Sequence, residues 1–432
     1  MKSFYSATLS RMLALFLVVC FDGVARAQST AFGAEAGASG GAVAASVSHA
    51  SYLRADGLTF TSESTSTQLR IHGYLQGDGH FFSSDPKGQS PDKLLFRRIR
   101  PQFEGTLFKV LDFRFMPDFG QNNPQVQDIH VELNVFSFAR PRFGKFKAPI
   151  SLEALRSDSE ATFPERSLAS NLVPLREVGA QLGGSVLRGA VSYAAGFFNS
   201  ANDGSNGNFQ WRPGNEAAAR VFFQPFLRSN AAPLRGLGVG LAGSSGAQGG
   251  TLPRLKTAGQ NTFFRYSSTA VADGQHNRLS PQAYYYRGSL GIMGEYNISS
   301  QQVRSGTNRR RLNHQAWQAS ASFMLTGEKN SYAGVRPLRA FEPQKGLRHL
   351  GGWEIAARYS HIRIDRSAFP VFADSKTAAA AAAELVVALN WYVNRFTRLM
   401  NAYEHTSFQA APSSAAPLRG EHVVMSRIQF SF

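Results

Sequence analysis

The stretch HVVMSRIQFSF, residues 422–432, alternates strictly: Ile428, Phe430 and Phe432 fall on one face, Arg427, Gln429 and Ser431 on the other. Successive strand side chains point to opposite sides, so the pattern describes a sheet with one apolar face and one wet face. Upstream the pattern recurs. In QDIHVELNV (127–135), Ile129, Val131, Leu133 and Val135 oppose Asp128, His130, Glu132 and Asn134. In HQAWQASASFML (314–325), Trp317, Phe323 and Leu325 oppose Gln318, Ser320 and Ser322. In TQLRIHGYLQGDGHFF (67–82), Leu69, Ile71 and Leu75 oppose Arg70, His72, Tyr74, Gln76 and Asp78. A β-sandwich core produces the same alternation. Segments of about ten residues, repeated along the chain, match instead strands that meet lipid outside and a polar lumen inside. The expected class is all-β, a transmembrane antiparallel β-barrel.

Residues 1–27 read as a signal peptide. Lys2 and Arg11 precede the short apolar run Met12–Cys20, and Ala25-Arg26-Ala27 forms a small-residue cleavage site. Nine apolar residues are too few to span a bilayer as a helix, and Val19 is too large for a lipoprotein site at Cys20. Cleavage removes the only cysteine, which excludes disulfides and thiol chemistry from the mature chain. Residues 28–66 begin with Ala, Gly and Ser repeats and read as a flexible lead, leaving 67–432 as one barrel. The mature chain divided by about 25 residues per strand and connection gives about sixteen strands. A net charge of +17 points to an anionic partner, and export argues against nucleic acid. The charged run Arg309–Arg311 suits a surface loop against lipopolysaccharide phosphates.

The stretch LLFRRIRPQFEG (94–105) carries three arginines among strand residues. By parity Arg98 and Arg100 share the wet face with Gln102 and Glu104, and Arg97 falls on the lipid side unless a bulge shifts the phase. Lys145 and Lys147 share a parity in RFGKFKAP, as candidate anion guides or as ordinary rim charges. Asp128, His130 and Glu132 form a polar row, more simply a lumen wall than a metal site. No metal or cofactor is expected.

Several stretches together resemble the phosphate-selective porin O/P family of Gram-negative outer membranes: LLFRRIRPQFEGT, RFGKF (142–146), FPERSL (163–168), FMLTGE (323–328), GGWEIAARYS (351–360), LNWYVN (389–394) and MSRIQFSF (425–432). Their order covers nearly the whole chain beyond Leu69. The terminal Phe432 also fits outer-membrane proteins. The resemblance implies a sixteen-stranded barrel, usually trimeric, whose third loop folds inward and whose arginine-lined pore passes small anions, phosphate or polyphosphate in the best-known members. It places Arg97 and Arg98 at the family's paired arginines, Arg166 at the arginine of a Glu-Arg-Asn-Leu-like stretch, Arg114 at a pore-facing lysine and Asp128 near the constriction. There are departures. Ala154 and Leu155 follow Leu152-Glu153 where phosphate-specific members carry a lysine, and Arg156 is the candidate substitute. Tyr74 stands where the family has an arginine, and a middle-loop arginine ladder is reduced to Arg254 and Lys256.

The reading is therefore an outer-membrane channel for passive diffusion of small anions, in contact with lipid and lipopolysaccharide and forming a homotrimer. The alternatives are an exported β-sandwich binding acidic glycans, or a general porin for other small solutes. No G-x-S-x-G, HExxH or P-loop pattern appears, so no catalysis is expected.

Overall fold

The computed structural model describes residues 49–432, apart from 55–56, 63–64, 87, 89, 208–214, 231, 347–348 and 413–417. The expected signal peptide and residues 28–48 lie outside the described residues. Sixteen antiparallel strands close on themselves. They are β3 (Thr67–Ser84), β4 (Lys93–Leu107), β5 (Leu111–Asp118), β6 (Gln125–Leu133), β7 (Arg140–Lys147), β8 (Arg176–Val186), β9 (Val191–Phe198), β10 (Glu216–Phe223) and β11 (Leu237–Thr251). After a loop hairpin of β12 (Arg254–Lys256) and β13 (Thr262–Arg265) come β14 (Ala270–Arg287), β15 (Leu290–Ser305), β16 (Asn308–Met324), β17 (Gly352–Arg363), β18 (Ala379–Tyr392), β19 (Thr397–Ala410) and β20 (Glu421–Ser431).

Closure is made by β20 on β3, from Phe430 opposite Leu75 up to His422 opposite Ser84. Gly73 and Phe432 exchange two backbone hydrogen bonds of 3.0 Å. Any Cβ at Gly73 would lie 2.6 Å from the Arg100 carbonyl oxygen, so the seam requires glycine. The expected lead to residue 66 is corrected at its end. There β1 (His49–Arg54) and β2 (Gly57–Ser62) form a hairpin that pairs with the first turns of β3, end to end with β20. The alternation of Leu58 and Phe60 with Thr59 and Thr61 continues the wall pattern, and it is this rather than the Ala/Gly/Ser composition upstream that sets the structure.

The alternation maps onto two solvents. On β20, Val424, Ile428 and Phe430 stand exposed outside, while Val423, Met425, Arg427 and Gln429 are buried inside. Val131 and Leu133 of β6 are each 41 % exposed. Such apolar faces would be covered in a β-sandwich, so that alternative is excluded. Short turns such as 288–289 and 393–396 lie at the periplasmic rim, and longer loops at the outer rim. Three connections depart from this: residues 306–307 alone join β15 to β16 at the outer rim, and on the periplasmic side the connection between Phe223 and Leu237 and the longer strap between Met324 and Gly352 join β10 to β11 and β16 to β17.

The loop 148–175, between β7 and β8, folds into the barrel as the resemblance implied. It starts with a single helical turn, α1 (Leu152–Leu155), and later makes a 3₁₀ turn at Leu168–Leu172. Its second half packs Leu168 and Leu172 under the β12–β13 hairpin, where Phe263 and Phe264 are fully buried. Phe163 fits against Ala356, Val386, Ala388 and Ala402, small luminal residues of β17–β19 that leave room for the loop.

Candidate functional site

The lumen is narrowed where this inner loop meets the wall, and the first wall element is the arginine-rich strand. Gln76 pairs with Arg98, yet the next residue, Gly77, pairs with Phe96. Arg97 is the extra residue of a bulge, which turns both Arg97 and Arg98 inward while Phe96 and Leu94 stay exposed outside. Arg97 then reaches Glu165 of the inner loop with two hydrogen bonds, Nε to Oε1 at 2.6 Å and Nη2 to Oε2 at 2.9 Å. A second bulge, between Met116 and Pro117 on β5 and their partners on β6, turns both Gln127 and Asp128 inward.

Most wall arginines hold the loop in place. Arg427 chelates Asp78 at 2.7 and 2.6 Å and donates to Glu165 Oε1 at 3.0 Å. Arg100 binds Asp118 at 2.7 Å, the Tyr74 hydroxyl at 2.8 Å, and Asp158. Arg358 bridges Glu153 at 3.2 Å and Glu384 at 3.0 Å and donates to the Glu165 carbonyl at 2.8 Å. Arg398, Asn390 and Gln429 donate to the loop carbonyls of Ala161, Thr162 and Ser159. Inside the loop, Glu153 accepts from Ser167 and Ser170, and the wall carboxylate Glu295 accepts from Ser151 and the Leu152 amide at the start of α1. These carbonyls and carboxylates of the crossing segment thus have donors, as burial demands.

The pairing is unbalanced at one point. Asp158 has Arg98, Arg100, Arg166 and Arg176 around it within 4 Å. Burial would push the Asp158 carboxyl up, but Arg166, Arg98, Arg100 and Lys147 hold it well below the usual carboxylate range. Glu165 is likewise buried and is held low by Arg97, Arg98 and Arg427. Beside Asp158 lies a cavity of about 210 Å³ whose lining includes Arg114, Asp128, His130, Arg142, Lys147 and Arg176. Arg176 binds Asp128 at 2.7 Å, and Arg114 lies 3.7 Å from the same carboxylate. Arg100 also holds Asp118 and Arg176 also holds Asp128, so four guanidiniums share three carboxylates, which leaves an excess of positive charge in this buried part of the lumen, where screening is weak.

The structure brings Arg97, Arg98, Arg100, Arg114, Asp128 and Arg166 together at this constriction. Arg156 belongs to the inner loop; its Nη1 donates to Thr162 at 2.8 Å, its Nε has no hydrogen-bond partner, and no carboxylate lies within 4 Å among the described residues. Lys145 is buried near Arg176 and Asp128 but does not line the cavity. It pairs across from Ile129, an outward position, and its ammonium donates to the Val126 carbonyl at 2.7 Å. Lys147, two residues on, is the one that reaches the cavity. Arg254 and Lys256 are exposed on the β12–β13 hairpin, away from the Asp158 cluster. The sequence reading missed Arg176, Arg358 and the acidic partners Asp158 and Glu165. Arg427 carried a parity signal; the others become visible only when the inner loop folds against strands that lie from fewer than 20 to more than 200 positions away.

Residues 70–432 match the family described as "Phosphate-selective porin O and P". No curated protein sequence matches the chain. Among solved structures, the chain is similar to the trimer form of OmpT, an outer membrane protein of Vibrio cholerae, with a TM-score of 0.53, 10% identity, and coverage of 85% of this chain and 99% of that one. It is similar to the anion-selective porin from Comamonas acidovorans, with a TM-score of 0.52, 12% identity, and coverage of 85% and 100%. The outer membrane channel DcaP of Acinetobacter baumannii gives a TM-score of 0.55 at 9% identity, covering 87% and 100%. At these identities the likeness concerns the fold.

Proposed function

Because the chain belongs to the phosphate-selective porin O and P family, non-catalytic channels of the Gram-negative outer membrane, we propose that it passes small anions, phosphate among them, down their gradient. The observation that carries this is the set of four arginines around Asp158, next to the 210 Å³ cavity. Arginine stays charged at any physiological pH and presents a planar fork to oxyanions. The acidic residues of the inner loop neutralise part of that charge. A site fully lined by free arginines would hold an anion too tightly to release it, whereas conduction needs weak, successive binding.

Arg309, Arg310 and Arg311 are exposed at the outer end of β16, in reach of lipopolysaccharide phosphates. The functional unit in this reading is a homotrimer. In proteoliposomes, labelled phosphate is expected to equilibrate much faster than labelled sodium. Equal rates would leave the general-porin reading in its place.

A further inference from the structure

A second stretch of lumen wall, on β10, β11, β14 and β15, has a different chemistry. Phe222 and Tyr284 have ring centroids 4.9 Å apart, Tyr284 and Tyr286 5.3 Å, and Tyr284 stacks on Tyr332 of the periplasmic strap at 5.5 Å and 22°. The rings settle close to the wall, Tyr284 stacked on Tyr332 and edge-on to Tyr286, because the strands give up side chains beneath them. A Cβ at Gly238 or Gly240 would come within 2.5 or 2.4 Å of the Phe222 ring, and one at Gly291 within 2.6 Å of Tyr286. Tyr332 is pinned by its hydroxyl to the Leu152 carbonyl at 2.7 Å.

Two arginines without carboxylates border these rings. Arg220 lies 4.6 Å from the Phe222 centroid, and its Nε donates only to Gln282, at 2.9 Å. Arg156 lines one small cavity with Tyr286 and Gly291, its Nε buried and unpartnered. Among the described residues neither has an acidic group within 4 Å, unlike Arg100, Arg176 or Arg358. Part of the cluster supports Leu152 and Met293. Support alone does not account for Arg220, Tyr284, Tyr286 and Tyr332, which stay partly open.

We propose that this aromatic lane, flanked by Arg156 and Arg220, binds planar organic carboxylates of the benzoate type as they cross the pore. The inference rests on the anion-channel reading and names a solute class for one part of it. Ring faces carry a negative quadrupole, so a small inorganic anion gains nothing from them. A benzoate ring stacks on the tyrosines while its carboxylate takes the fork of an arginine. The two lanes thus differ: the Asp158 cluster suits compact oxyanions, and the tyrosine lane suits anions with an apolar plane.

The test is block of chloride current through the full-length oligomer in a planar bilayer, with benzoate and acetate compared. Benzoate is expected to halve the current at about one tenth of the acetate concentration, the size of effect that a stacked aromatic pair supplies. Tyr284→Leu is expected to bring benzoate block down to the acetate level, and Tyr284→Phe, which keeps the ring, to retain it. Equal block by the two anions in the native protein, or unchanged benzoate block in Tyr284→Leu, overturns the inference and leaves the anion channel intact. A zero-current potential favouring potassium removes both.

Discussion

Arg97 and Arg98 are adjacent on a strand yet point the same way, and this decides what holds the inner loop. Strict alternation would put Arg97 in lipid; the bulge opposite Gln76 and Gly77 gives it to Glu165 instead. Parity and the family motif disagree about this residue in the sequence, and that disagreement is the only trace a bulge leaves there, since it needs no special residue type. Glu165→Gln leaves Arg97 and Arg427 short of a charge partner. Loss of one member of a buried pair costs about 3–5 kcal/mol, and the expected outcome is a lower unfolding temperature with noisier open-channel current. Asp158 and Glu165, both held low in the fold, contribute stability that is complete above their unfolded values and fades as pH falls through the lower folded ones. The current is therefore expected to be steady from about pH 8 to about pH 5 and to lose its fixed inner loop only below about pH 4. Recordings across that range check it. Arg156→Gln removes an uncompensated charge and is expected to lower chloride over potassium selectivity several-fold without lowering the unfolding temperature.

At the scale of elements, the inner loop and the periplasmic strap meet inside the barrel. Tyr332 donates to the Leu152 carbonyl and Arg336 lies 3.4 Å from Glu160, so the strap supports the loop from below. Burial raises the Glu160 carboxyl above its ordinary value despite Arg336, which marks this contact as the weaker one. Replacing residues 329–349 by a short Gly-Ser turn is expected to raise single-channel conductance at unchanged oligomer size. An unchanged conductance would show that the strap does not narrow the pore. The strands were legible in the sequence because lipid and water impose opposite residue types on the two faces. The strap was not, because its anchors, such as Tyr332 and Val335, are single residues with no period. The loop's course was legible only through family motifs: Ser159, Ala161 and Thr162 are gripped through their carbonyls, which carry no residue signature.

At the scale of the whole molecule, the barrel combines a lipid-facing apolar wall with a lumen whose charges are largely spent on its own inner loop. The basic excess of the sequence, +17, pointed to an anionic partner, and the family resemblance implied an arginine-lined pore. In the fold many luminal arginines carry acidic partners; uncompensated charge remains at the Asp158 cluster, and Arg156, Arg220 and Arg398 have no carboxylate within 4 Å among the described residues. The account predicts moderate anion preference rather than exclusive passage of anions. The most direct measurement is the zero-current potential of the reconstituted channel across a tenfold potassium chloride gradient. A potential on the chloride side, short of the full Nernst value, is the predicted result. A potential on the potassium side would contradict the account.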